Sequence, residues 1–161
     1  YFRDPRPEDV DIVDIAHSLS HICRFTGHTK LFYSVAEHSV AVCEEVEGRD
    51  NKLIALLHDA LEAYIGDISS PMKGVIELRE LKFLERRVWQ AIANKFSLPH
   101  TLPEEVKRAD LQLLANEAAM LWSPAAVREW ALPYEPRPHK MKYLAPWAAK
   151  QEFLAAFQQW R

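Results

Sequence analysis

Residues 53–73 read LIALLHDALEAYIGDISSPMK, and this stretch combines an apolar run with a dense group of ionisable side chains. His58 and Asp59 end the apolar run, Glu62 follows His58 by one helical turn, and Asp67 follows further along. Because burying an unpaired carboxylate is costly, acids among core-like neighbours need a compensating charge. A bound cation is the simplest source of that charge. The stretch therefore predicts a metal or proton-transfer site on a central helix.

The spacing of apolar residues around this stretch predicts an all-α protein, folded as a single-domain helical bundle over residues 1–161. The length suits one domain with a sizeable core. The apolar fraction of 48% and the charged fraction of 27% are typical of soluble globular proteins. Residues 1–7 are expected to form an extended arm. Residues 133–144 contain three prolines and are expected to form a surface loop or a partner contact.

Capping and periodicity patterns give approximate helix boundaries. Ser34 and Glu37 have the spacing of a capping box, which predicts that a helix begins there. In the helix that starts near Pro103, the residues expected to point inward are Val106, Ala109, Leu113 and Met120. The predicted helices span residues 8–22, 34–45, 51–63, 76–96, 102–122, 125–132 and 145–161.

Composition also limits the partners and the compartment. The net charge of −3 argues against a nucleic-acid polymer as partner. No apolar run approaches the roughly 20 residues of a membrane span, so no membrane is expected. Cys23 and Cys43 are too few for a disulfide scaffold, and we expect reduced thiols packed in helices of a cytoplasmic protein. The first residues do not resemble a signal peptide, and without an initiator Met a short preceding piece is expected.

Four side chains on three predicted helices form a candidate metal site. His38, His58, Asp59 and Asp110 each lie on or beside an apolar face, and helices packed in a bundle could bring them to one point. Two imidazoles and two carboxylates suit one divalent ion of the Mn, Co, Ni, Fe or Zn type, with Mg as a further possibility. Taken singly, either histidine could be a hydrogen-bonded core residue, and Asp110 could be a surface acid.

The same residues resemble a known family. His38, then His58-Asp59, then Asp110 resembles the H…HD…D pattern of the HD-domain metal-dependent phosphohydrolases. ALLHDALEAYIGDISSPMK is similar to the HD-x-x-E-x-x-x-G-D-[apolar]-x-x-P-x-K segment of the small 5′-deoxynucleotidase branch, and SVAEHS resembles the segment around its first histidine. The resemblance covers residues 24–120. It implies an all-helical HD-type fold with a single catalytic divalent ion.

The resemblance also implies roles for individual residues. The metal ligands would be His38, His58, Asp59 and Asp110. Glu62 would orient or deprotonate the attacking water, and Asp67 would assist proton transfer or sugar recognition. Arg24 matches a phosphate-binding arginine, and Phe25 stands where the family typically has a tryptophan that stacks on the nucleoside. Lys73 and Lys107 match phosphate contacts of small HD enzymes that act on deoxynucleoside triphosphates.

Several functions stay open at this level. A phosphohydrolase could remove the 5′-phosphate of a deoxynucleoside monophosphate, or it could remove triphosphate from a substrate such as dATP. A second class is a non-catalytic nucleotide- or metal-binding HD domain. A third is a helical interaction domain whose last helix, through Phe153, Phe157 and Trp160, forms a dimer surface. From the resemblance to this family we expect a homodimer or a higher homo-oligomer.

Overall fold

The computed structural model describes residues 3–68, 72 and 79–161, and this part of the chain is all-α, as predicted. Its helices are α1 (Ile12–His21), α2 (Val35–Glu45), α3 (Arg49–Leu57), α4 (Glu62–Ile65), α5 (Arg79–Phe96), α6 (Glu104–Leu121), α7 (Pro124–Glu129) and α8 (Pro146–Trp160). Two short 3-10 turns, Pro7–Asp9 and Arg24–Gly27, flank α1. The described ranges contain no β-strand, and one isolated bridge joins Cys23 to Ser34.

One main hydrophobic core holds the long helices together. Helix α8 packs against α1, α2 and α3, while α6 packs against α2 and α3. Full burial of a Leu, Ile, Val or Phe side chain contributes about 1.5–3 kcal/mol, so these contacts fix the helices that carry the candidate site. The largest apolar side chains of this core include Ile15, Leu19, Val42, Leu56, Ile92, Leu113 and Phe153. None of the described helices has the length and apolar character required to cross a membrane.

The starts of the first two helices follow their capping residues. Asp11 Oδ1 accepts hydrogen bonds from the backbone N–H groups of Val13, at 2.7 Å, and Asp14, at 3.2 Å. Helix α1 therefore begins later than the predicted 8–22 segment, and Pro7–Asp9 forms a separate turn. Helix α2 begins where predicted, because Ser34 Oγ accepts from the Glu37 backbone N–H at 3.1 Å.

The second half of the expected capping box is replaced by a long-range contact. The Glu37 carboxylate accepts three backbone N–H groups of residues 142–144, at 2.7, 3.0 and 2.8 Å. These bonds attach the end of the proline-rich segment 133–144 to α2. That segment has no helix, but it is not simply a surface loop, since Met141 is buried against Tyr33 and Leu121.

The predicted helix 51–63 is wrong in one respect, because it breaks at the candidate site. Helix α3 ends at Leu57, and α4 starts at Glu62. Between them the backbone makes i→i−3 bonds, with the Ala60 N–H donating to Leu57 at 3.0 Å and the Glu62 N–H to Asp59 at 2.9 Å. Such tighter turns are common at helix ends. The break changes where the site residues point.

Three further expectations are corrected by the structure. Met120, near the C-terminal end of α6, is 39% exposed, whereas its neighbour Leu121 is buried and packs near Tyr33 and Met141. Phe153 and Phe157 lie in the core, so they cannot form a dimer surface, and homo-oligomerisation stays a prediction that needs another surface. Both cysteines are free thiols, but Cys23 lies outside the helices.

Candidate metal centre

Two buried histidines and two partly exposed aspartates from three elements meet at one point. His38 lies in the second turn of α2 and is fully buried, His58 and Asp59 follow the end of α3, and Asp110 comes from α6. His38 Nε2 lies 3.2 Å from Asp110 Oδ1 and 3.7 Å from Asp59 Oδ2. His58 Nε2 lies 3.2 Å from Asp59 Oδ2 and 3.8 Å from Asp110 Oδ1. The structure thus brings together all four predicted ligands.

The spacing of these atoms fits a metal ion. Ligands bound at about 2.0–2.2 Å to one ion lie about 3–4.4 Å from each other. The potential ligand atoms of His38, His58 and Asp59 all lie within 4.8 Å of one another, so this group could hold a metal ion. His58 Nε2 is buried and makes no well-directed hydrogen bond to any described residue. A buried nitrogen in that state is costly, and a cation would satisfy it.

The helix break sets the orientation of His58. The last carbonyl groups of a helix lack their usual i+4 donors. One of these, the Ala55 carbonyl, lies 2.7 Å from His58 Nδ1. A carbonyl can only accept, so Nδ1 carries the proton and Nε2 faces the two aspartates. The turn after Leu57 is therefore part of the site.

A residue that the sequence did not suggest, Glu117, sets the orientation of His38. Glu117 is fully buried on α6, and its Oε1 lies 2.7 Å from His38 Nδ1. The same oxygen accepts a hydrogen bond from the Tyr33 hydroxyl at 2.6 Å. Carboxylates commonly hold metal-binding histidines in this way. The available signal was its spacing, since Glu117 follows Asp110 by two helical turns on the face of Leu113.

Arg24 is placed beside the site by a closed loop. The Arg24 N–H donates to the Tyr33 carbonyl at 2.9 Å, and the Val35 N–H donates to Ile22 at 3.0 Å, which closes the connector between α1 and α2. Arg24 Nε and Nη2 donate to Glu117 Oε2 at 3.2 and 2.9 Å. Its Nη1 lies 3.9 Å from Asp59 Oδ2. The guanidinium therefore borders the cluster, as the predicted phosphate role requires.

Phe25 belongs to an aromatic group beside Arg24. Phe25 has a positive φ of 55°, uncommon for a bulky residue and a sign of local strain. Its ring contacts Trp122 edge-on at 4.7 Å and lies 6.3 Å from Trp130, while the Arg24 guanidinium lies 4.9 Å from its centre. Trp130 is 41% exposed. The connector thus places a partly exposed aromatic surface next to a buried cation.

Glu62 and Asp67 lie close enough to interact. Glu62 is buried, and its Oε2 makes no hydrogen bond to a described residue. Burial and the nearby charges of Asp59 and Asp67 raise the pKa of Glu62 to about 9. Without added positive charge, this carboxyl group is therefore protonated at neutral pH. It has the environment of a proton-transfer group in an active site.

The two lysines differ from the predicted phosphate contacts. Lys107 precedes Asp110 by one turn on α6, but its ammonium group binds Glu104 at 2.5 Å and its side chain is 43% exposed. Lys73 lies outside the described residues. Neither lysine is placed at the cluster by the described part of the structure.

Charges within the cluster reinforce one another. Burial lowers the pKa of both histidines, but Asp59 and Asp110 raise that of His58 well above its ordinary value. Glu117 and Asp110 raise the pKa of His38 despite burial and the Arg24 charge. Burial alone would raise the pKa of Asp59 and Asp110, yet the histidines lower both. Within the cluster, each histidine therefore favours its protonated form and each aspartate favours its ionised form.

The Arg24–Glu117 pair is also strongly stabilised in its charged form. Burial would raise the pKa of Glu117, but Arg24 and His38 lower it to about 2. Burial would lower the pKa of Arg24, but Glu117 and Asp59 raise it above its ordinary value. Both groups stay ionised across the physiological range.

Comparison with known proteins gives relatives without an assigned activity. No protein-family model matches the chain. The chain is 43% identical over 117 residues to the uncharacterized protein YfdR of Escherichia coli, covering 73% of this chain and 64% of the relative. It is also 43% identical over 115 residues to an uncharacterized protein of Rhodobacter capsulatus, covering 66% of this chain and 58% of the relative. The chain thus spans about three fifths of the length of these curated relatives.

Proposed function

We propose that this protein is a metal-dependent phosphohydrolase that removes the 5′-phosphate of deoxynucleoside monophosphates. The observation that carries the proposal is the meeting of two oriented histidines, two aspartates and Arg24 at one point. The HD-type pattern of these residues supports the same class. The proposal concerns this chain, which spans only part of the length of its curated relatives.

The cluster suits a divalent cation. We propose His38, His58, Asp59 and Asp110 as its ligands, and Mn, Co, Ni, Fe, Zn or Mg as its identity. Such an ion, when bound, supplies a Lewis acid to phosphate oxygens and makes water more acidic. The ionised aspartates and the inward-facing Nε2 atoms are the donors that such an ion requires.

Arg24 provides a fixed site for the phosphate. Two of its nitrogens are engaged by Glu117, which leaves Nη1 on the side of Asp59. Charged hydrogen bonds from guanidinium to phosphate are strong and directional. A phosphate held by Arg24 would therefore reach the cluster in a defined orientation, which lowers the entropic cost of the reaction.

Glu62 is the proposed proton-transfer group. A water oxygen forms a new bond to phosphorus, and the bond between phosphorus and the 5′-oxygen breaks. Glu62 accepts the proton of the attacking water and returns it to the leaving 5′-oxygen. Positive charge at the cluster lowers the raised pKa of Glu62, which converts it to the carboxylate that can accept a proton. Asp67, beside Glu62, would assist this transfer or bind the sugar.

The charge near the cluster favours a monophosphate. Among the described lysines and arginines, only Arg24 lies within 4 Å of a cluster carboxylate. A triphosphate carries more negative charge and needs more cationic partners. The alternative, triphosphate removal from a dATP-type substrate, depends on Lys73 and on a movement of Lys107 away from Glu104.

The aromatic group supports a substrate that carries a base. Phe25, Trp122 and Trp130 offer partly exposed rings beside Arg24. Stacking of a base on an aromatic side chain contributes about 1–3 kcal/mol. A nucleotide could thus place its phosphate at Arg24 and its base against Phe25.

A substrate test would decide between these proposals. Protein loaded with Mn, Co, Ni, Zn or Mg is incubated with dAMP and with dATP, and the products are separated. Deoxyadenosine and phosphate from dAMP are the expected products. Triphosphate release from dATP would instead support the alternative. If dAMP bound but neither product formed with any metal, the chain would be a non-catalytic nucleotide-binding domain.

A matched pair of variants gives the control. Glu62→Gln keeps the shape of the side chain but removes its proton-accepting oxygen, so the rate should fall at least about 100-fold. Glu80→Gln, on the exposed surface of α5, makes the same chemical change away from the cluster and should leave the rate unchanged. An active Glu62→Gln variant would show that Glu62 is not the proton-transfer group.

A further inference from the structure

We infer that Glu117 is a positioning residue that joins the metal site to the phosphate site. It reaches both sites with one carboxylate, and no other described residue contacts both His38 and Arg24 through hydrogen bonds. This inference rests on the proposed function, because it assigns roles to a metal ligand and to a phosphate-binding residue. Glu117 itself faces neither the metal nor the substrate.

The two carboxylate oxygens of Glu117 bind different partners. Oε1 lies 2.7 Å from His38 Nδ1 and accepts from the Tyr33 hydroxyl at 2.6 Å. Oε2 accepts from both Nε and Nη2 of Arg24 at 3.2 and 2.9 Å. Because an ionised carboxylate only accepts, His38 must donate from Nδ1, and its Nε2 lone pair is left for a cation. Arg24 is likewise held along one edge, and Nη1 stays beside Asp59.

Its burial makes this arrangement rigid. Glu117 is fully shielded from solvent. A buried carboxylate requires all its partners, and here Arg24, His38 and Tyr33 satisfy it. A displacement of Glu117 would therefore move the metal ligand and the phosphate-binding group together.

The substitution Glu117→Gln tests this coupling. A glutamine has one accepting oxygen and an NH₂ group that only donates. It can accept from Arg24 while donating to His38 Nδ1, or it can accept from His38 and leave Arg24 unpaired. The first arrangement moves the His38 proton to Nε2, which blocks metal binding there. The first arrangement disturbs the metal site directly, and the second disturbs the phosphate site directly. In each case the other site loses its contact with a fixed carboxylate.

The experiment measures two affinities without turnover. Calorimetry gives the affinity of metal-stripped protein for Co²⁺, and then the affinity of the Co²⁺-saturated protein for inorganic phosphate. Loss of such an outer carboxylate typically lowers metal affinity about 10–100-fold. For Glu117→Gln we expect a loss in that range for Co²⁺ and at least a threefold loss for phosphate. The matched control is Glu37→Gln, which changes another buried carboxylate next to His38 that binds only backbone N–H groups. It should leave both affinities unchanged.

The outcomes separate this inference from the proposed function. If the wild-type protein binds Co²⁺ and phosphate but Glu117→Gln lowers only one affinity or neither, the coupling is wrong and the proposed site stands. If the wild-type protein binds no metal, the proposed function fails as well. Should Glu117→Gln not fold, an NMR spectrum of the histidine rings in Zn²⁺-loaded wild-type protein answers the question. A slowly exchanging, strongly deshielded His38 Nδ1 proton is expected, and its absence would overturn the inference.

Discussion

His38 and His58 present the same nitrogen to the same two aspartates, but the chain orients them by different means. His38 lies within a regular helix, and its ring is held by Glu117 from α6, a helix that is distant in sequence. His58 lies where α3 ends, and its ring is held by the Ala55 carbonyl three residues earlier. In this protein the histidine inside a helix is therefore held by a remote side chain, while the histidine at a helix end is held by its own backbone.

The substitutions with the largest expected effect test whether both histidines bind the same metal ion. Three substitutions each remove an atom proposed to bind the metal: Asp59→Ala, His38→Ala and His58→Ala. Loss of a residue that only hydrogen-bonds a metal ligand already lowers metal affinity by about 10–100-fold. Each of these substitutions should therefore lower Co²⁺ affinity at least about 100-fold. The measurement is calorimetry on metal-stripped protein. His21→Ala is the matched control, because His21 Nδ1 also lies 2.8 Å from a backbone carbonyl, and this residue is exposed at the end of α1. If the two histidine variants differed more than tenfold, the rings would not be equivalent ligands.

The pH dependence of metal affinity shows how many histidine rings bind the metal. In the metal-free protein the pKa of His38 and of His58 is raised, so protons compete with the metal. Metal binding must release these protons. Affinity for Co²⁺ should therefore rise with pH, by up to about 100-fold per unit while both rings are protonated and by about tenfold while one is. Calorimetry in two buffers of different ionisation enthalpy counts the released protons. Release of only one proton would show that one ring is not a ligand or is already neutral.

Glu62, in helix α4 after the His58 turn, lowers the stability of the metal-free protein when it ionises. Burial and acidic neighbours raise the pKa of Glu62 to about 9 in the folded protein. A raised pKa means that the folded state binds a proton which the unfolded state loses above about pH 4.3. The stability of the metal-free protein should therefore fall as the pH rises from about 4.3 towards 9. Glu62→Gln removes this loss, and we expect its Tm at pH 8 in EDTA to be at least about 5 °C higher than that of the wild type.

The control for that measurement is the same comparison of Tm values at acidic pH. At pH 4.5 Glu62 is protonated in the folded protein, so Glu62→Gln should have a Tm close to that of the wild type. An equal Tm for the two proteins at pH 8 would mean that Glu62 is ionised at little cost, through a partner that the described residues do not include.

The same contrast explains which parts of the site follow from the sequence. His58, Asp59 and Glu62 stand together in the chain, and their apolar neighbours make the ionisable groups conspicuous. The helix break between them does not show in the pattern, because α-helical and 3-10 spacing place the same residues nearly on one face over a single turn. The break is accompanied by a contact between the His58 ring and the Ala55 carbonyl, which backbone propensities do not describe.

Glu117 lies at the other extreme. Its partners are 79, 84 and 93 residues away in sequence. On its own helix it is only an acid among inward-facing alanines and leucines, and nothing local indicates what it will pair with. The role of Glu37 could not be predicted for the same reason. Its carboxylate binds residues 142–144 instead of the start of its own helix. Helix class, caps and core faces depend on local order and were largely predictable, whereas long-range polar pairs were not.

The smallest effect concerns Lys107, which shares α6 with Asp110 and Glu117 but does not contact the cluster. Its ammonium group binds Glu104, and an exposed pair of this kind contributes about 0–1 kcal/mol. Lys107→Met should therefore change the rate with dAMP and the affinity for phosphate by less than about twofold. Arg24→Met, a similar loss of charge at the cluster, should lower phosphate affinity strongly in the same assay. A large effect of Lys107→Met with dATP but not with dAMP would show that this side chain turns inward for a longer phosphate chain, and it would favour the triphosphatase alternative.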